Sequence, residues 1–261
     1  MEIILTDKFI SGVDIDLSNK LLGVIKQPKL IDLIQNNIDI SSVMDFFILV
    51  EHTHWKMSRD LFVEHKLNEF ETALSLEREL IEQGKVTSGL INALSILYGV
   101  DMLDIAIQSE NDKLFIFIKG KDVIITEDNF RILLDVVLGM FFIDKKEVHK
   151  NFERKWVNHS GTEYEEERIR KHEANIRKKE EAKRLRLSDF INVVVHAGNY
   201  SYDYVLSLTY WQLMNSYNAL RSIEGYNEML GYTWSYKYDI KNDENPHWIE
   251  KIKLEHKTVE L

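Results

Sequence analysis

The chain has 261 residues, enough to bury a sizeable core as one large or two small domains; at 44% hydrophobic and 29% charged it has a globular composition and not a disordered one. The absence of cysteine excludes disulfides and thiolate metal sites and fits a reducing cytosol. A formal net charge of −10 argues against general attraction to nucleic acid, because phosphate contacts need clustered Lys and Arg.

No apolar run approaches the roughly 18 to 20 residues needed to cross a bilayer, so no membrane span is expected. The opening Met1-Glu2-Ile3-Ile4 lacks the basic region of a secretory signal. Only Pro28 and Pro246 interrupt a chain otherwise free to be helical. Residues 1–25 alternate apolar and polar in short pieces around Gly12 and Gly23 and read as strands or extended segments. Lys26-Gln27-Pro28-Lys29 then opens a helix, since proline suits a first helical turn, and Leu30, Ile31, Leu33 and Ile34 give it an apolar face.

The dense apolar run Met44 to Val50 predicts a buried helix ending near Glu51-His52-Thr53-His54-Trp55. From Ser58 to about Gln83, the spacing of Leu61, Phe62, Phe70, Leu74, Glu77 and Ile81 predicts one long amphipathic helix stopped by Gly84. Leu90 to Tyr98 is a short helix ended by Gly99. Residues 113–126 read as a β-hairpin: Leu114 to Ile118, a turn at Lys119-Gly120-Lys121-Asp122, then Val123-Ile124-Ile125. Thr126 can cap the following helix, with Glu127 and Asp128 favoured in its first turn by the helix dipole. Phe130, Leu133, Leu134, Val137 and Phe141 form its buried face.

Residues 163–187 are rich in Glu, Lys, Arg and Ala, which favour helix and pair along its surface, so a long charged, solvated helix is expected there. The fold class is therefore mainly α with a small β component, made of the N-terminal extended segments and the hairpin near 113–126. Three parts are expected: a mostly helical N-terminal domain over 1–155, a charged connecting helix within 156–187, and an aromatic-rich helical region over 188–261.

Candidate sites are few. Glu51, His52 and His54 carry metal-ligand chemistry, but two positions apart they face different sides of a helix and no third ligand stands nearby, so structural or surface histidines are expected. There is no HExxH, no carboxylate-rich calcium loop, no GxGxxG and no Walker lysine loop. His196, within Val193-Val194-Val195-His196-Ala197, is the best lone acid–base candidate, and in that setting it reads as a hydrogen-bonded core residue. No catalytic residue, metal or cofactor is therefore expected, and the chain does not read as an enzyme. The basic residues Arg177-Lys178-Lys179 and Lys183-Arg184-Leu185-Arg186 could track a phosphate backbone, but Glu180, Glu181 and the Glu163–Glu167 run cancel much of their field.

The aromatic content of the C-terminal quarter is the most distinctive feature. Nine of the eleven tyrosines lie between Tyr200 and Tyr238. Leu206, Tyr210, Leu213, Tyr217 and Leu220 recur at steps of four and three, a spacing that places them on one helical stripe, with Trp211 beside them. This stripe can be a core whose tyrosine hydroxyls reach the surface, or a protein-binding face, since Tyr and Trp concentrate at interface hot spots; the two can coexist.

Two stretches resemble a family encoded in tail modules of phages of Gram-positive bacteria. The first is Ile25-Lys26-Gln27-Pro28-Lys29-Leu30-Ile31-Asp32-Leu33-Ile34, similar to an "I-K-Q-P-T-hydrophobic-x-[DE]-I-I" opening. The second runs from Asp189-Phe190-Ile191 through Leu206-Ser207-Leu208-Thr209-Tyr210-Trp211-Gln212-Leu213 to Arg221, Ile223, Tyr226 and a closing His247-Trp248. The resemblance implies a tail assembly chaperone of the host cytoplasm, which binds helices of the tape measure protein, helps recruit tail tube protein, and performs no catalysis. It makes Leu206, Tyr210, Trp211, Leu213, Tyr217 and Leu220 the candidate partner-binding residues. The rival expectation is a structural virion protein of the tail or baseplate. Self-association, for instance through the charged helix, stays open.

Overall fold

A computed structural model describes residues 2–59, 66–85, 89–110, 113–146, 148–149, 186–233, 247 and 258–260. In chain order the elements are β1 (Glu2–Ile4), α1 (Leu5–Ser11), β2 (Ile15–Leu17), β3 (Gly23–Ile25), α2 (Leu30–Gln35), α3 (Ile40–Arg59), α4 (Glu69–Glu82) and α5 (Leu90–Tyr98). There follow β4 (Ile105–Glu110), β5 (Lys113–Ile118), β6 (Val123–Ile125), α6 (Glu127–Met140), α7 (Leu187–Gly198), α8 (Tyr202–Leu206), α9 (Tyr210–Thr233) and β7 (Thr258–Glu260). The protein is mainly α with small antiparallel sheets. These are the pairs β1–β7 and β2–β3, and a three-stranded sheet in the order β4-β5-β6.

The expected hairpin forms as β5 and β6, and the sequence reading missed its outer partner. β4 pairs along its whole length with β5, from Ile105 opposite Ile118 to Glu110 opposite Lys113. Only Ile105 of β4 is buried, so the strand lacks the apolar density that made β5 legible. Ile116 and Ile118 of β5, with Val123 and Ile125 of β6, turn inward into the common core.

Three expectations along the chain are corrected. The first 25 residues include a helix, α1, whose buried Leu5 and Phe9 stand one helical turn apart. Pro28 does not sit in the first turn of α2: Lys29, in extended backbone at φ −78° and ψ 153°, is the N-cap, and the helix starts at Leu30. The long helix expected over 58–83 is divided. α3 runs on to Arg59, while α4 starts at Glu69 behind a capping box in which Asn68 Oδ1 accepts from Glu71 N (2.8 Å) and Glu71 Oε2 accepts from Asn68 N (3.0 Å). Leu61 and Phe62 lie outside the described residues, as do 151–185, which hold the expected boundary near 155 and almost all of the charged helix. Arg186 is extended, and α7 opens at Leu187.

The core is one cluster, centred on α6, whose Phe130, Leu133, Leu134, Val136, Val137 and Leu138 are all buried. Phe70 of α4 meets Phe130 at 5.6 Å between ring centroids, and Phe46 and Phe47 of α3 pack edge to face at the same separation. Burying each such side chain contributes about 1.5–3 kcal/mol, which is what orders these short helices. Asn129, buried on α6, ties the sheet to the N-terminus. Its Oδ1 accepts from Thr126 N, and its Nδ2 donates to Ile124 O and to Lys20 O at 2.8 and 2.9 Å.

The same cluster takes in Ile191, Val194, Val205, Leu208, Trp211 and Leu213 from α7 to α9. The two stretches that carry the phage resemblance meet here. Lys29 and Thr209 form a β-bridge, and Leu30 N donates to Leu208 O at 2.9 Å. Gln27 is buried and fastens this corner: its side-chain amide donates to Lys8 O (2.9 Å) and Val13 O, and its backbone N–H donates to Asp14 Oδ1 (3.1 Å).

Candidate functional site

An open groove of about 770 Å³ lies between the start of α3, α7 and α9. Ile40 and Met44 supply one wall, Leu187 and Phe190 a second, and Tyr210, Met214 and Tyr217 the third. Phe190 and Tyr217 fix the angle between α7 and α9 by packing edge to face, 4.8 Å apart at 90°. Tyr210 is braced from behind by Phe141, at 5.8 Å and 71°. Two exposed arginines, Arg186 and Arg221, stand on the rim, so a chain of net charge −10 presents a locally cationic edge here.

The predicted stripe is placed only in part. Leu206 ends α8 and is not on a helix with Tyr210, because Ser207 to Thr209 break the chain direction between them. Trp211 and Leu213 are core residues, at 5% and 0% exposure, and present nothing to a partner. Trp211 stacks on Phe9 of α1 at 5.9 Å. Leu206, Tyr210, Tyr217 and Leu220 are half-buried against the core, and of these Tyr210 and Tyr217 line the groove. The face that opens into it is Tyr210, Met214, Tyr217, Asn218 and Arg221, one helical line rotated from the predicted one. Met214 and Arg221 were legible at spacings of four and eleven from Tyr210, but Leu213 and Leu220, more apolar, fit the same period and face inward.

The histidine group has a different outcome from a metal site. Glu51, 3% exposed, is the centre of an ion-pair network. Its Oε1 lies 3.0 Å from His149 Nε2, and its Oε2 lies 3.9 Å from Arg131 and 3.8 Å from Lys145. Arg131 also pairs with Glu69 and Asp135, Lys145 pairs with Asp135, and His54 Nδ1 sits 3.6 Å from Glu69. His149 stacks on Trp55 at 4.8 Å and 12°, with the Arg59 guanidinium 4.4 Å from the Trp55 ring centroid. Burial, with Lys56 and His149 nearby, favours the neutral form of His52. Burial of Glu69 works against its charge, yet its backbone amide and Arg131 together hold its carboxyl below the ordinary range.

Each carboxylate therefore faces cations, the arrangement of a structural network joining α3, α4 and α6. Among the described residues no group of three or more His, Asp or Glu is placed to hold a metal ion. His196 is exposed on α7, not in the core, with its Nε2 3.4 Å from the Tyr202 hydroxyl, which donates to Asn192 Oδ1 at 2.9 Å. Arg177 to Lys183 lie outside the described residues. No described helix is long and apolar enough to cross a membrane.

Thr209 and Gln212 set the start of α9, and so the position of the groove's tyrosines. Gln212 Oε1 accepts from Thr209 N at 2.8 Å, Thr209 Oγ1 accepts from Gln212 N at 3.3 Å, and Gln212 Nε2 donates to Ile10 O at 2.8 Å. His247, from the closing His-Trp pair, meets the Tyr226 ring further along α9 at 4.9 Å.

No curated protein and no solved structure matches the chain. Residues 177–253, which include α7, α8, α9 and two of the groove's three walls, match the family described as the YomV second domain, a phage-associated family whose namesake is a Bacillus prophage protein.

Proposed function

We propose that this protein is a phage tail assembly chaperone of the host cytoplasm, which holds apolar helices of the tape measure protein in the groove between α3, α7 and α9 and assists tail tube assembly without catalysis. The observation that carries the reading is the open apolar groove, set in the part of the chain similar to a phage domain. A long tape measure helix exposes an apolar stripe that aggregates unless covered. An amphipathic helix laid in a groove buries such a stripe through side chains at i, i+3, i+4 and i+7. Met44 and Met214 are unbranched and adapt to varied partners, while Tyr210 and Tyr217 give large contact area with few rotors to immobilise. A net charge of −10 keeps the loaded complex soluble. In this reading the 188–261 region supplies most of the binding surface, and the 1–155 body holds it.

The test is mass spectrometry on purified particles and on complexes captured through a tag on this protein. The expected result is tape measure protein in the capture and none of this chain in particles. Met214→Ser with Tyr217→Ser should reduce the captured tape measure protein at least fivefold while the chain still melts cooperatively. Stoichiometric presence in particles would instead make the protein a structural component of the tail or baseplate. Absence from both fractions would remove the phage-tail reading.

A further inference from the structure

A second groove, of about 620 Å³, is built from α4, the β4–β5 hairpin and the start of α6. Its floor is apolar and partly open: Leu74, Phe115 and Ile124 are half-buried and Leu114 is 49% exposed. Among the described residues four carboxylates surround that floor, from Glu71, Glu110, Glu127 and Asp128, with Lys113 as the one cation lining it. Lys113 faces Glu110 across the hairpin, which leaves Glu71, Glu127 and Asp128 to set the sign of the field. Glu71 accepts the Asn68 amide, a neutral donor that brings no cation to this rim. Arg131, one turn into α6, engages Glu51, Glu69 and Asp135 instead and does not neutralise this rim.

An apolar floor ringed by carboxylates selects by charge. An acidic segment entering it would desolvate its own carboxylates against like charges, whereas Lys and Arg beside an apolar stripe would replace water with ion pairs. We propose that this groove is a docking site for a basic amphipathic segment of a partner protein. Leucine- or phenylalanine-like side chains would rest on Leu74, Leu114, Phe115 and Ile124, and flanking Lys or Arg would pair with Glu71, Glu127 and Asp128. The groove shares no residue with the one between α3, α7 and α9, and the proposal stands independently of the chaperone reading.

The test uses the full chain and two labelled synthetic helical peptides with the same leucine stripe, one flanked by lysine and the other by glutamate, read by fluorescence anisotropy. The lysine peptide should bind in the micromolar range and the glutamate peptide at least tenfold more weakly. Glu127→Lys with Asp128→Lys should weaken the lysine peptide at least tenfold, and Glu110→Lys, remote from the helix end, should also weaken it. Leu114→Ser should weaken it without changing charge, and thermal melts check that each variant is folded. Asp32→Lys with Glu79→Lys makes the same change in net charge outside the groove and should leave affinity within twofold.

Equal losses from both paired reversals would mean a diffuse field in place of a site and would overturn the proposal. So would indifference to Leu114→Ser and Glu110→Lys. Sedimentation showing that the wild type self-associates, and that Glu127→Lys with Asp128→Lys abolishes this, would make the occupant a second copy and overturn it as well.

Discussion

Glu77 lies on α4 at 1% exposure, with its carboxylate turned toward the start of α5, where the first amides of a helix lack helical partners. It accepts from the N–H of Leu90 and of Ile91, and a Cβ on Gly89 would overlap its Oε2, so the approach depends on glycine at that N-cap. Burial pushes the Glu77 carboxyl above its usual range, and the two amides pull it back in part. An acid whose folded pKa is raised binds a proton more readily folded than unfolded, so its ionised form costs stability at neutral pH. That cost fades as pH falls through the raised value toward the unfolded one. Stability of the wild type relative to Glu77→Gln should therefore improve between pH 7.5 and pH 4.5, measured by urea denaturation at each pH. A difference that stays flat, or moves the other way, would show that the carboxyl is not raised. Glu77→Ala, which leaves the α5 amides without their acceptor, should cost about 1–3 kcal/mol at pH 7.

Helices α4, α5, α8 and α9 begin where a side chain accepts from their first amides, and this is the level at which sequence reading both succeeded and failed. Thr126 and Gly99 were legible as the bounds of α6 and α5, because a cap and a left-handed glycine at φ +60° are local requirements. Asn68-x-x-Glu71 and Thr209-x-x-Gln212 carry the same kind of signal, yet the apolar period on either side ran across them and suggested continuous helices. Periodicity reports which face of a helix is apolar and is blind to a change of direction between two helices in phase. This explains why Tyr210 and Tyr217 were read onto one helix, where they line the groove, and why Leu206 was joined to the wrong helix. Phe190 and Met44, brought in from other elements, had no local signal. Gln212→Ala should destabilise the protein by about 1–2 kcal/mol, through loss of the α9 cap and of the bond to Ile10 O. Gln212→Glu keeps an acceptor for Thr209 N and loses only the donor, so it should recover part of that loss. Equal melting temperatures for the wild type and Gln212→Ala would show that the box does not hold α9.

At the scale of the whole molecule, elements far apart in sequence share one core. β1 pairs with β7, Lys29 bridges Thr209, and Phe9 of α1, at 1% exposure, stacks on Trp211 of α9. Contacts between α1 and α9 join the first residues to the helix that walls the groove, so the groove's shape depends on packing that begins at Leu5. Composition divides the chain near residues 155 and 187, and whether that division is also mechanical is a question of cooperativity. Phe9→Ala removes a ring from between α1 and α9 and should cost about 3–5 kcal/mol, the range for a buried aromatic. If the core opens as one unit, hydrogen exchange in Phe9→Ala will speed up in the first turns of α9 as much as in α1, and in α6 behind them. Faster exchange confined to α1, with α7 and α9 protected as in the wild type, would mean that the C-terminal helices hold together by themselves and that the groove survives loosening of the N-terminal body.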